Sequence, residues 1–488
     1  MSQLQHTSFD PSRTHPAWRV FAESWQMNRD FAEMHNHVLR SGRYLDRFGE
    51  GTAAAESPSQ YAWRRGAALA VDCCGELVDL RVGNLFRTLP VRTYQDSPWA
   101  ATISRYLSDV DGGGTSMDDF MRRVLRMHYV NGVDIVVDKT PLPPGAQVTS
   151  RAHEQQLGAR PYLTAFDPLS RIDWSCNHAG KYLWVRYQLG QGPAVDETAS
   201  PGPRRYLTLT RDCWRLYHVQ PQAEGEPTAC MSGPMSLGIV PAVPFYYRTS
   251  SHPEYGPIPL SLLTRISPVA RALLNLLSQG QLDIYMAIGI LAATGVDPEQ
   301  LPREVAPMCW LGLPEGAAVQ HITPAVEHIR EKRAWASMLQ EAILRMGKLL
   351  GASARLTGRA SSGLQVEAER TDLDNEMSAT AGQLEQVERD VVRLMISRKE
   401  GRLVDHDEIG YCVEYNRKFV LSGVSDLIDQ ARSLLSVPAR AQIPELSRLF
   451  LQRVLDAVAN RDHPRYEQIR RAIESADLTT GSRAEQEG

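Results

Sequence analysis

Between Leu364 and Lys399 the apolar residues Leu373, Met377, Ala381, Leu384, Val387, Val391 and Leu394 recur at steps of 4, 4, 3, 3, 4 and 3. That rhythm is the period of an α-helix with one apolar face. The stripe predicts one long helix over 364–399, and the other segments must supply the surface that covers it.

The segments before it change character twice. Residues 1–56 carry aromatics and charges in a helical rhythm (Phe21, Trp25, Phe31) and dissolve into the small-residue stretch GEGTAAAESPSQ, which reads as a linker. Tyr61, Ala68, Val71, Leu77, Leu80 and Leu85 predict one helix over 60–92, ended by Pro90. Helical segments follow over 98–106 and 118–129, separated by the DGGG of 111–114. From Asn131 the chain turns to strands. NGVDIVVD is a turn and a β-branched run, and RPYLTAFDP, RIDWSC, YLWVRYQLG, RYLTLTRDCWRLYHV and VPFYYRT are short runs with antiparallel hairpin logic.

At Ser267-Pro268, an N-cap followed by a proline suited to the first helical position, the chain becomes helical again. This helix is expected to reach Leu291. A second helix is expected over 325–350, after a segment rich in proline and glycine. A hairpin is predicted over 403–420 and helices over 424–476. The fold class is therefore α+β, mainly helical.

Composition removes several classes. The 488 residues exceed one ordinary compact domain and suggest about three. Apolar residues at 43% and charged residues at 23% are those of a globular chain. A net charge of −4 leaves no basic excess for a whole-chain nucleic-acid coat, so any such contact is local. The most apolar stretch, 269–296, is broken by Arg271 and Asp283 and leaves a charge-free run of 13 residues. About 18–20 are needed to cross a bilayer, so no membrane span is expected. The first residues, MSQLQHTSFD, lack a basic start and an apolar core, which points to a reducing cytoplasm as the place of synthesis. The seven cysteines (73, 74, 176, 213, 230, 309 and 412) form no CxxC pair and read as free thiols.

The motif search yields no phosphate-binding GxxxxGK[ST], no HExxH, no zinc spacing and no GxSxG. DGGGTS resembles a phosphate-cradling loop but follows no strand, so a structural turn is expected. His128, His153 and Asp138 are the raw material for a hydrolase or nuclease site assembled from scattered residues. Glu367, Glu369, Asp372, Asp374 and Glu376 form an acidic run with a net −4 over 367–376. Met377 and Gln383 stand where a calcium loop needs glycine and glutamate. The run reads as a solvated helix face or as a negative surface towards DNA or a neighbouring subunit. The preceding segment is its opposite: between Glu341 and Glu367 there is no acid, and Arg345, Lys348, Arg355 and Arg359 give +4. Arg345 and Lys348 stand near a helix C-terminus, where its dipole favours cations. Arg355 and Arg359 have no such local reason.

The ordered series resembles the portal, or head–tail connector, proteins of tailed bacteriophages over about residues 60–475. Four stretches carry it: YAWRRGAALAVDCCGELVDLRVGNLFRTLPVR; HYVNGVDIVVDKTP with RPYLTAFDPLSRIDW; VPFYYR with PIPLSLLTRISPVARALLNLLSQGQLDIYMAIGIL; and SSGLQVEAERTDLDNEMSATAGQLEQVERDVVRLM. The resemblance implies an N-terminal helical arm (1–56), a wing (57–257), a first stem helix (258–291), a clip (292–325) and a second stem helix (326–350). A tunnel loop (351–363), a long helix with hairpin (364–423), a crown (424–476) and a flexible tail (477–488) complete it. The clip is short and holds five prolines.

The same resemblance implies a non-enzymatic homo-dodecamer around double-stranded DNA, without cofactor or metal. It would be assembled in the host cytoplasm and sit at the capsid portal vertex of the virion. Its partners would be the terminase large subunit, a head–tail adaptor, the major capsid protein and scaffold. Arg345, Lys348, Arg355 and Arg359 would contact DNA without regard to sequence. A helical scaffold or adaptor that binds only proteins is the other reading outside catalysis.

Overall fold

A computed structural model describes residues 10–33, 41–51, 55–139, 160–190, 204–219, 229–252, 255–286, 290–294, 318–322, 326–348, 363–417, 451–452, 455 and 466–475. The chain divides into two compact units, Met1–Arg417 and Lys418–Gly488. The architecture is mixed α and β, as expected.

In the first unit, helix α1 (Pro16–Glu33) packs on α3 (Cys73–Leu85), α5 (Met117–Val130) and α6 (Ser267–Met286). Its Trp25 is buried and its indole N–H donates to the Pro259 carbonyl at 3.4 Å. The stretch read as a linker is anchored: the Glu56 carboxylate takes Arg64 at 2.8 Å, with both side chains buried, and Ser57 caps α2 (Pro58–Ala67) in a capping box with Gln60.

The single helix expected over 60–92 is two. Ala68 is extended at the end of α2, and Asp72 starts α3 by accepting the Gly75 N–H at 2.7 Å. A short polar side chain that can cap competes with helix continuation, and here it wins.

Ser116 caps α5, and Asn131 and Gly132 (φ +90°) close it by donating to the Met127 carbonyl. The chain then enters β2 (Val133–Lys139). This strand is central in a three-stranded antiparallel sheet, flanked by β3 (Pro161–Phe166) and β9 (Ala242–Phe245). A five-stranded meander follows: β4 (Arg171–Cys176), β5 (Tyr182–Leu189), β6 (Arg204–Thr210), β7 (Cys213–Val219) and β8 (Ala229–Pro234). Val136, Trp174, Val185, Tyr187, Leu207 and Leu209 form its apolar core with Trp25. Strand β8 had no alternation to betray it. Strands β10 (Arg248–His252) and β11 (Gly256–Leu260) form a hairpin.

Helix α6 is described as far as Met286. Ile290–Thr294, expected to lie on the end of that helix and beyond, is a strand, β12, paired antiparallel with β13 (Ala318–Ile322). The pairing supplies the backbone hydrogen bonds that a longer helix would have made. Helix α7 (Val326–Met346) returns and packs along α6.

Helix α8 (Gly363–Glu400) is the long helix, and Met377, Ala381, Leu384, Val387, Val391 and Leu394 are all buried. It lies on β2, β3 and β9 and on α3. Among the described residues of 403–420, the expected hairpin does not form. A helical turn, α9 (His406–Ile409), closed by Gly410 at φ +62°, takes the place of the first strand. The second strand, β14 (Cys412–Glu414), pairs instead with β1 (Val91–Thr93). Helix α4 (Ala100–Ser108) packs on α5. Of the helices expected over 424–476, the described part includes α10 (Tyr466–Ser475). The six described cysteines are free, and burial pushes the Cys74 thiol up to about 12. Cys309 lies outside the described residues.

Candidate functional site

Cys74, Leu77, Val78, Arg81, Val82 and Leu85 are the buried face of α3. Arg81 occupies a core position on that face, so the helix carries its charge inward, and its side chain is fully buried. A charge in such a place needs partners, because desolvation costs far more than a surface pair returns. Arg81 finds them on two elements. Nη1 lies 2.5 Å from Glu376 Oε1 on α8, and Nη2 donates to the Gly347 carbonyl at 3.0 Å, just past the end of α7. Glu376 takes two more donors: Tyr247 Oη at 2.7 Å on its Oε1, and Lys348 Nζ at 2.9 Å on its Oε2. Burial alone would raise the Glu376 carboxyl. The Arg81 charge and the Tyr247 and Lys348 donors outweigh that and hold it down to about 2.

Lys348 and Glu376, which belong to oppositely charged segments of the sequence, are thus each other's partners. Arg345 is exposed on α7. Of the acidic run, Asp372 is exposed and Asp374 is half-buried with an interaction of its own. Arg355 and Arg359, and the side chains of Glu367 and Glu369, lie outside the described residues. Arg81 and Tyr247 escaped the sequence reading. The signal for Arg81 was present: an arginine inside an otherwise apolar helical face calls for a buried acid.

A second cluster lies further along α8. Glu388, fully buried, receives Arg92 Nε at 2.6 Å and the Tyr411 hydroxyl at 2.5 Å, and Tyr415 donates to its other oxygen. A third surrounds Asp134 in the sheet core, where the hydroxyls of Tyr182, Tyr187 and Tyr246 donate at 3.0, 2.9 and 2.5 Å, with Arg171 beside them.

The DGGG turn is filled by its own carboxylates. Asp109 accepts the N–H groups of Gly112 and Gly114 at 2.8 and 3.1 Å, and Asp111 accepts that of Gly113 at 2.8 Å. The groups that would cradle a phosphate are therefore satisfied internally.

The scattered catalytic candidates take up other duties. His128 is fully buried, stacked on Phe245 at 3.8 Å, and burial holds its pKa down to about 3. Asp138, raised by burial, faces Arg398 at 3.7 Å and accepts from Tyr162 at 3.2 Å. With Phe166, Arg205 and Trp214 it lines a cavity of about 480 Å³ between the two larger sheets. His153 lies outside the described residues. Among the described residues no group of side chains has the make-up of a metal site, and no helix is long and apolar enough to cross a membrane.

No protein-family model and no curated protein matches the sequence. Among solved structures, the chain is similar to one in the neck of an empty gene transfer agent particle computed with C6 symmetry. The identity is 11% and the TM-score 0.42, over 78% of this chain and 89% of that one. A chain in the virion of the native gene transfer agent particle gives 11% identity and a TM-score of 0.41 over the same shares.

Proposed function

We propose that this chain is a portal subunit: one of twelve copies that ring a DNA channel at a capsid vertex, through which the genome is packaged and ejected. The observation that carries the reading is the helix pair α6–α7. Its root is built into the wing. Ala270, Leu273 and Leu274 of α6 are buried, Ser278 accepts from Arg64 at 3.0 Å, and Gly347 meets Arg81 after the end of α7. Between the two helices in the sequence, β12 and β13 pair with each other. At 1.5 Å per residue, the 20 residues of α6 span about 30 Å. A rooted antiparallel stalk with a paired tip suits a stem and clip, the clip serving as the docking place for the terminase large subunit and the head–tail adaptor.

The stalk also carries two large apolar side chains that the described residues leave exposed. Trp335 is 61% exposed and Met338, one turn on, 51%. In a ring, these side chains meet the next copy, and heterologous contacts that close produce such rings. The wing would meet the major capsid protein and scaffold, and Arg345, Arg355 and Arg359 would face the DNA. A near-neutral chain fits a bore through which phosphates must slide, since each neutralised phosphate adds affinity.

Negative-stain imaging of the purified protein tests this directly. Rings with a central hole are expected. A monodisperse monomer at micromolar concentration with intact secondary structure would overturn the reading.

A further inference from the structure

The chain leaving α7 is held from three directions. At Gly347 an added Cβ would stand 2.1 Å from Leu77 Cδ1, so a larger residue would have to displace the buried Leu77 side chain to keep the approach that lets Arg81 reach the carbonyl. At Lys348 the backbone is left-handed, φ +56°, the one positive φ on a non-glycine residue among the described residues. Helices commonly end in this conformation, but on glycine or asparagine. A lysine stays there when surrounding contacts over-determine it. Those contacts come from its ammonium, 2.9 Å from Glu376.

The two cations on Glu376 are unlike. The Arg81 side chain is fully buried, also reaches Gly347, and lies over the Tyr129 ring at 5.5 Å. The Lys348 side chain is 34% exposed and has a flexible stem. One carboxylate, held anionic, therefore faces two cations, and the surplus positive charge sits on the arm that solvent reaches. Arg345, exposed three residues earlier, extends that charge along the last turn of the helix.

We propose that Arg81, Glu376 and Lys348 form a phosphate-sensitive latch: Arg81 is the fixed arm, and a DNA phosphate competes with Glu376 for Lys348, the releasable arm. Closed, the latch fixes the direction in which the chain leaves the second stem helix. Open, it lets the left-handed turn relax while Arg81 and Glu376 stay paired, so the wing keeps its packing. The proposal rests on the portal reading for the source of phosphate, and its geometry stands apart from ring formation.

The test is amide hydrogen exchange of the segment 345–348 in the purified protein, read with a short blunt duplex DNA. Inorganic phosphate at matched phosphate concentration serves as the control. DNA is expected to speed exchange there about tenfold, the scale of losing one charge-assisted contact, with inorganic phosphate acting more weakly. Glu376→Gln should show the faster exchange without DNA and respond no further. Lys348→Gly suits the left-handed turn and lacks the ammonium, so it should fold normally and show no DNA response. Unchanged exchange on adding DNA to the native protein, or native-like exchange in Glu376→Gln, would sink the latch. Images without rings, with Glu376→Gln still exchanging faster, would sink the portal reading and leave the ionic hold on the helix end standing.

Discussion

Arg92 and Glu388 meet at 2.6 Å, with Arg92 on β1 and Glu388 fully buried on the long helix. Tyr411 and Tyr415 donate to the same carboxylate. Removing it leaves Arg92 with Asp118 alone, at 2.7 Å, and takes the acceptor from two buried hydroxyls. Glu388→Ala is expected to cost about 2–3 kcal/mol, measured by urea unfolding. A loss below about 1 kcal/mol would show that water repairs the site.

Acid should weaken the fold in two stages. In the unfolded chain a histidine takes its proton near 6.5, while His128 in the core resists until about 3. Below 6.5 the unfolded state binds the extra proton, so stability falls as pH drops, by about 1.4 kcal/mol per unit for this one group. Glu376 adds a second loss between its ordinary 4.5 and about 2, where the unfolded carboxylate protonates first. His128→Leu should flatten the dependence of the urea midpoint between about pH 6.5 and 5 and leave the lower stage intact.

Gly132 sits at φ +90°, and a Cβ there would stand 2.8 Å from the Tyr246 ring, whose hydroxyl donates to Asp134. Gly132→Ala is expected to destabilise by about 2 kcal/mol or more, from the left-handed backbone and the crowding together. Thermal unfolding at neutral pH measures it.

Replacing Trp335 and Met338 together by aspartate should leave the subunit folded, because surface changes usually fall within about 0.5 kcal/mol. Ring formation should be lost. Circular dichroism with light scattering separates the two effects.

Arg355→Ala with Arg359→Ala should permit rings and procapsids while impairing DNA packaging or retention. Contacts to phosphate are blind to sequence, so the defect should be the same for any packaged DNA. Normal packaging in this double variant would remove the two arginines from the channel.

The parts of the fold set by local pattern were readable. The stripe of α8 was correct from Met377 to Leu394 because one continuous surface covers it. The sheet runs were legible because turns with strong local chemistry separate them. What escaped depended on distant partners. Strand β14 pairs with Val91–Thr93, so nothing near it announced a ladder. Ile290 and Leu291 read as the end of a helix until Ala318–Ile322 lies beside them. The acidic run looked like one face, yet Glu376 was claimed by Arg81, Tyr247 and Lys348 from three separate parts of the chain. The cap of Asp72, which splits a predicted helix, was visible in principle but outweighed by the apolar period around it.

The long helix meets its buried charges at fixed intervals: Glu376, then Glu388 twelve residues on, then Arg398 after ten more. Each is seated in a cage built by a different part of the chain. Adding or removing one residue between them turns the helix by about 100° and shifts it by about 1.5 Å, which empties at least one cage. Related sequences that keep these cages can exchange many side chains along this stretch. They cannot change its length, so insertions and deletions among them should fall before Glu376 or after Arg398.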